Sequence, residues 1–213
     1  MPPIVSVIGK SKSGKTTLIE KLVQELKSRG CRVATIKHTP QGLDFDKAGK
    51  DSWRHIQAGS EATATSSPDK VVMIKPVDQD ATLDKVAYLL GEDYDIILTE
   101  GFKRGNAPKI EVHHKGAGPP LEGIKKLIGI VTDEPLETKA RQFSFDDINT
   151  LVDLLEKGFI KPHAERISLH INNIPIILTT FPKQIITNVL LAMASCLKGV
   201  GEIKSLQIFL KKE

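Results

Sequence analysis

Cysteine is nearly absent from this chain: Cys31 and Cys196 are the only two among 213 residues. They lie far apart and form no metal-type spacing, so reduced structural thiols are expected for both. Long apolar runs and a secretory leader are missing as well, which points to a cytoplasmic protein with no membrane partner. Charge of one sign is not concentrated either. The net charge is +4; residues 163–213 hold six Lys/Arg against three Asp/Glu, leaving 24 against 23 elsewhere. That density is too low for a nucleic-acid footprint, so no nucleic-acid partner is expected.

What the chain does have is a complete phosphate-binding loop, Gly9-Lys10-Ser11-Lys12-Ser13-Gly14-Lys15-Thr16. Residues 4–8 read as a short apolar strand and residues 17–27 carry apolar positions at helical spacing, so the glycines fall where strand turns into helix. Gly9 and Gly14 lack a Cβ and let backbone N–H groups, Ser13 among them, close around phosphate, with the helix dipole behind. Lys15 is expected to reach the β and γ phosphates, with Thr16 holding Mg²⁺ through its hydroxyl. Lys10 has two readings, a solvated loop lysine or one that reaches into the site of a facing copy.

Strands and helices alternate onward. Strands are predicted over 32–37, 71–74, 95–99, 109–113 and 127–131, and helices over 84–90 and 145–156. Ile96-Ile97-Leu98 is apolar on both faces, as in a parallel sheet covered on both sides, so the fold class is α/β, a P-loop NTPase with a mainly parallel sheet. Ligands in such sheets sit at the carboxyl ends of strands. There lies Glu100, suited to hold Mg²⁺ or orient water and followed by a glycine that implies close backbone approach. Lys37 is placed to pair with phosphate oxygens, and Asp46 is a second candidate magnesium carboxylate in a polar loop. His38 reads as a supporting rather than a catalytic residue. Asp51-Ser52 reads as a helix start, with Trp53 and Ile56 as its inward face. Asp133, after Thr132, has the acceptors to take the N1 and N2 donors of guanine, although the usual N-K-x-D motif is absent; a simple turn before Pro135 is the alternative. Adjacent His113 and His114 point to opposite faces of a strand, which argues against a shared metal.

Together the loop, Lys37-His38, the run Gly49-Lys50-Asp51-Ser52-Trp53-Arg54-His55 with Ala58-Gly59, the Glu100-Gly101-Phe102-Lys103 turn and Thr132-Asp133 resemble the molybdopterin-guanine dinucleotide biosynthesis protein B (MobB) family over residues 1–158. That resemblance implies a homodimeric GTP-binding accessory protein with weak hydrolysis, assisting the molybdenum cofactor guanylyltransferase that joins GMP to molybdopterin. Molybdoenzyme maturation proteins are further candidate partners. It maps Gly14, Lys15, Thr16 and Thr17 onto phosphate and magnesium, Asp46 and Glu100 onto an acidic site, and Asp133 onto the base. Lys15 and Glu100 would serve any hydrolysis.

The resemblance leaves the C-terminal segment uncovered. With 1–160 as the nucleotide domain, residues 163–213 read as a small ββαβ docking or oligomerisation module. Its strands fall at 167–171, 174–178 and 205–210, and its helix begins near Pro182 with Thr180 or Phe181 as cap and stops at Gly199. The competing function is a stand-alone ATP-dependent kinase or ligase acting on a small acid, which the same loop and carboxylates would serve. It would require a substrate-binding cluster, for which Lys37, His38 and Arg54 are the available residues.

Overall fold

A computed structural model describes residues 1–39, 47–77, 80–163, 167, 169–172, 174–176 and 178–208. The first of its two units, Pro2–Ala164, contains β1 (Ile4–Gly9), α1 (Lys15–Ser28), β2 (Val33–Lys37), α2 (Asp51–Gln57), β3 (Thr63–Ser66) and β4 (Val71–Ile74). These are followed by α3 (Leu83–Leu90), β5 (Ile96–Glu100), β6 (Lys109–His113), β7 (Leu127–Thr132), β8 (Gln142–Phe143) and α4 (Ile148–Leu155). The second unit, Glu165–Glu213, holds the antiparallel strands β9 (Leu169–Ile171) and β10 (Ile174–Ile176) and the helix α5 (Thr180–Ser195).

Six strands pair in the order β2-β5-β1-β6-β7-β8, every pair parallel. The chain leaves β1 toward one edge and later returns to its other side, so the switch point of the sheet lies at the carboxyl end of β1. Alternation along the strands sends Val5, Val7, Ile96, Leu98, Ile110, Val112 and Val131 to one face, where they form a core with Leu18, Leu22 and Leu26 of α1 and Leu151, Val152 and Leu155 of α4. Arg29, just past α1, ties the two helices together. Its guanidinium donates to Glu25 at 2.7 Å, Asp153 at 2.6 Å and Glu156 at 3.0 Å. α3 packs beside β2, with Leu83 and Ala87 buried.

Three expectations need correction. Residues 71–74 do form a strand, but it pairs antiparallel with β3 in a separate two-stranded sheet and does not join the main one. The stretch 205–208 is not a strand, while 209–210 lie outside the described residues. The cap of α5 is Thr179, one residue before the expected threonine. Trp53 and Ile56 are partly buried, and no residue of α2 is fully buried.

Leu22 is fully buried between sheet and helix. Leu22→Ala should therefore cost about 2–5 kcal/mol in a urea unfolding titration of the full chain.

Candidate functional site

The loop between β1 and α1 is shaped by close backbone contacts. A Cβ on Gly9 would collide with the carbonyl oxygen of Val112 on β6, so only glycine lets β1 end so near its neighbour. Ser13 is buried, and its hydroxyl has no hydrogen-bond partner among the described residues. Gly14 caps α1 and offers no side-chain acceptor, leaving the amides of the first helical turn unclaimed by a cap. The Lys15 amine donates to the Lys10 carbonyl at 2.6 Å. Burial lowers the Lys15 pKa, Glu100 opposes that shift, and Lys103 and Lys37 add to it.

Glu100 ends β5, the strand beside β1, and this pairing brings it to the loop. Its Oε2 accepts from the Thr16 hydroxyl at 3.0 Å and lies 3.7 Å from the Lys37 amine. The turn that follows is tight. His38 donates its backbone N–H to the Glu100 carbonyl at 3.0 Å, and a Cβ on Gly101 would sit 3.3 Å from His38 Cβ on a backbone with φ of 104°. Phe102 is itself left-handed, with φ of 54°, and its ring lies 4.8 Å from the His38 imidazole. A bulky residue in that conformation is a local cost that surrounding contacts must hold in place. The His38 ring thus packs against the turn.

Ser11 to Thr17 and Glu100 line a cavity of about 360 Å³. It presents an orphaned buried hydroxyl, uncapped helix amides and a lysine, a donor set that fits a phosphate chain. The Thr16 hydroxyl and Glu100 carboxylate form an oxygen pair suited to Mg²⁺. Gly9, Ser13, Gly14, Lys15, Thr16, Thr17, Lys37 and Glu100 are therefore brought together. Asp46 lies outside the described residues. Lys10 turns toward the loop after β6, its amine 3.2 Å from where a Cβ of Gly118 would stand. A hollow of about 490 Å³ beside α2 and β3 is lined by His55 and small residues and, among the described residues, gathers no other ionisable group.

Asp133 follows β7, two strand spacings or about 10 Å from β1. Its Oδ1 accepts from the Lys115 amide at 2.9 Å, and its Oδ2 lies 3.3 Å from His114 Nε2. The Lys115 amide is the main cause holding its pKa below the ordinary value, with His114 and His113 adding to the effect against desolvation. His113 faces the other way, buried, with Nε2 2.9 Å from Glu134. The two histidines thus have separate carboxylate partners, as their opposite orientations require. Sequence reasoning did not anticipate Lys103 as a charge felt by Lys15, nor His114 as a neighbour of Asp133. Lys103 had a signal in its place directly after the Glu-Gly-Phe turn. His114 had none, because its partner is 19 positions away.

The family described as molybdopterin guanine dinucleotide synthesis protein B matches residues 4–133. Molybdopterin-guanine dinucleotide biosynthesis adapter proteins of Haemophilus influenzae and Escherichia coli are 34% identical over 166 residues and 32% identical over 170. Each alignment covers 77% of this chain, and they cover 93% and 97% of those proteins. A solved structure of molybdopterin-guanine biosynthesis protein B superposes with a TM-score of 0.58 at 28% identity, covering 72% of this chain and 98% of the other. Bacillus subtilis MobB does so with 0.57 at 29%, covering 74% and 98%. With the matched family spanning more than half of its residues and these relatives covered nearly end to end, the chain belongs to the molybdopterin guanine dinucleotide synthesis protein B family.

Proposed function

We propose that this protein is a GTP-binding adapter in molybdenum cofactor biosynthesis, assisting a guanylyltransferase in attaching GMP to molybdopterin. The observation that carries the nucleotide part is the hydrogen bond from Thr16 to Glu100, which joins the phosphate-type loop to a carboxylate on the neighbouring strand. The printed role of the relatives, adapter proteins of molybdopterin-guanine dinucleotide biosynthesis, supports the rest. In this reading the loop amides, Ser13, Lys15 and Lys37 bind the phosphates. Mg²⁺, when bound, neutralises phosphate charge and takes ligands from Thr16 and Glu100. Asp46 is proposed as a further carboxylate for the ion. Slow hydrolysis would rest on Lys15 and Glu100.

Asp133 is the proposed reader of guanine. A carboxylate has about four lone-pair sites, so Asp133 can keep its contacts to Lys115 and His114 and still accept from N1 and N2 of the base. A second copy of the chain fits the exposure of Val71, Val72 and Met73, at 68%, 45% and 50%, on the hairpin β3-β4. A two-stranded hairpin is marginal alone, so its apolar side chains gain most from a surface that covers them.

Titration calorimetry with GTP and ATP, each with Mg²⁺, tests the reading directly. GTP should bind more tightly, and Lys15→Ala should lose about 10- to 100-fold in affinity. Equal or stronger binding of ATP would overturn the guanine assignment. Asp133→Asn should weaken GTP and improve XTP, because an amide can donate to the xanthine O2 where a carboxylate is repelled. Chelating Mg²⁺ with EDTA should weaken GTP binding to the wild type and have a smaller effect on Glu100→Gln, whose neutral amide is a poorer ligand for the ion.

A further inference from the structure

Asp133 is useful for reading a base only if its carboxylate is held in one orientation, and the residue beside it has an unusual constraint. His114 Nδ1 accepts a hydrogen bond from the Gly116 amide at 3.1 Å, closing the short turn Lys115–Ala117. A ring nitrogen that accepts carries no proton, so this contact fixes the tautomer: the single proton of the neutral ring sits on Nε2, the nitrogen 3.3 Å from Asp133 Oδ2. The same turn supplies the Lys115 amide to Asp133 Oδ1. Asp133 is thereby held from two sides, by the Lys115 amide of this turn and by His114, which caps it.

We propose that His114 is a positioning residue for base selectivity, holding Asp133 in its reading orientation. This rests on Asp133 being the guanine reader. Without the imidazole the turn loses its closing bond from the Gly116 amide, Asp133 Oδ2 loses its fixed neighbour, and the guanine-specific contact weakens. His113 does not compete for Asp133, because it pairs with Glu134.

The experiment compares GTP with ITP, which differs only in lacking the N2 amino group, by titration calorimetry at about pH 8 with Mg²⁺ on the full chain. The wild type should prefer GTP about tenfold. His114→Ala should bring that ratio close to one while leaving ITP affinity unchanged, because the phosphate loop is untouched, and His114→Gln, which keeps an N–H for Asp133, should recover most of it. An unchanged ratio in His114→Ala, or a ratio in His114→Gln as low as in His114→Ala, overturns the inference. Asp133→Asn separates the two assignments. If it leaves the GTP to ITP ratio unchanged, Asp133 does not read the base and both fail. If it abolishes the ratio while His114→Ala keeps it, only the role of His114 fails.

Discussion

Everything at the site depends on β1 being paired on both sides. β5 and β6 flank it in parallel, with Val7 opposite Glu100 on one side and Gly9 opposite Val112 on the other. These two registers decide where the loop residues stand. The first puts a carboxylate within hydrogen-bond reach of Thr16, and the second forces the chain to leave the sheet at a residue with no side chain. A one-residue slip of β5 would turn Glu100 toward the opposite face and leave Thr16 without its partner. Buried apolar residues make such a slip costly: Ile96 and Leu98 would leave the core under α1 and α4, while Thr99, now bonded to Ser6 at 2.9 Å, would enter it. The core therefore fixes the site geometry as well as stabilising the fold.

Much of this was legible because it is local. The loop, its strand and its helix are consecutive, and the apolar run at 96–98 has only one comfortable place, the middle of a covered sheet. The strand at 71–74 misled for a physical reason. Val71-Val72-Met73-Ile74 has the look of a buried parallel strand, but the turn closed by Ser67 and Lys70, with N–H to carbonyl at 2.8 Å, lets it pair at once with 63–66. Composition alone does not choose between a nearby partner and a distant one. β8 is two residues long and has no period to detect. Its Phe143 nonetheless packs over Gly129, where an added Cβ would meet the ring at 2.7 Å. Ser205 to Ile208 alternates convincingly yet forms no strand, because alternation supplies a face without supplying a partner.

The least legible residues are polar ones inside the sheet. Lys109, Glu111 and His113 alternate with Ile110 and Val112, a pattern that usually marks a strand with one wet face. Here all five are buried. Lys109 resolves the cost of burying an ammonium by donating to three carbonyls, those of Gly105 at 2.6 Å, Ala107 at 2.8 Å and Lys125 at 3.4 Å. Its three donors match those three acceptors, while burial still draws its pKa below the ordinary lysine value. Glu111 accepts from the Leu121 amide at 2.7 Å.

These contacts explain why β6 carries charge on a buried face. Lys109 ties down the loop that follows the Glu100 turn and the segment that leads into β7; Glu111 holds the loop between β6 and β7; His113 fixes Glu134, the residue after Asp133. Apolar side chains would have filled the same space and stabilised the sheet at least as well, since buried ionic groups rarely add net stability. What apolar groups cannot do is hold a particular backbone amide or carbonyl in place. Irregular backbone near a ligand has no ladder to define it, and a polar side chain rising from a rigid strand supplies the missing reference. The central sheet thus fixes the phosphate loop through its registers and the loops around Asp133 through the buried side chains of one strand.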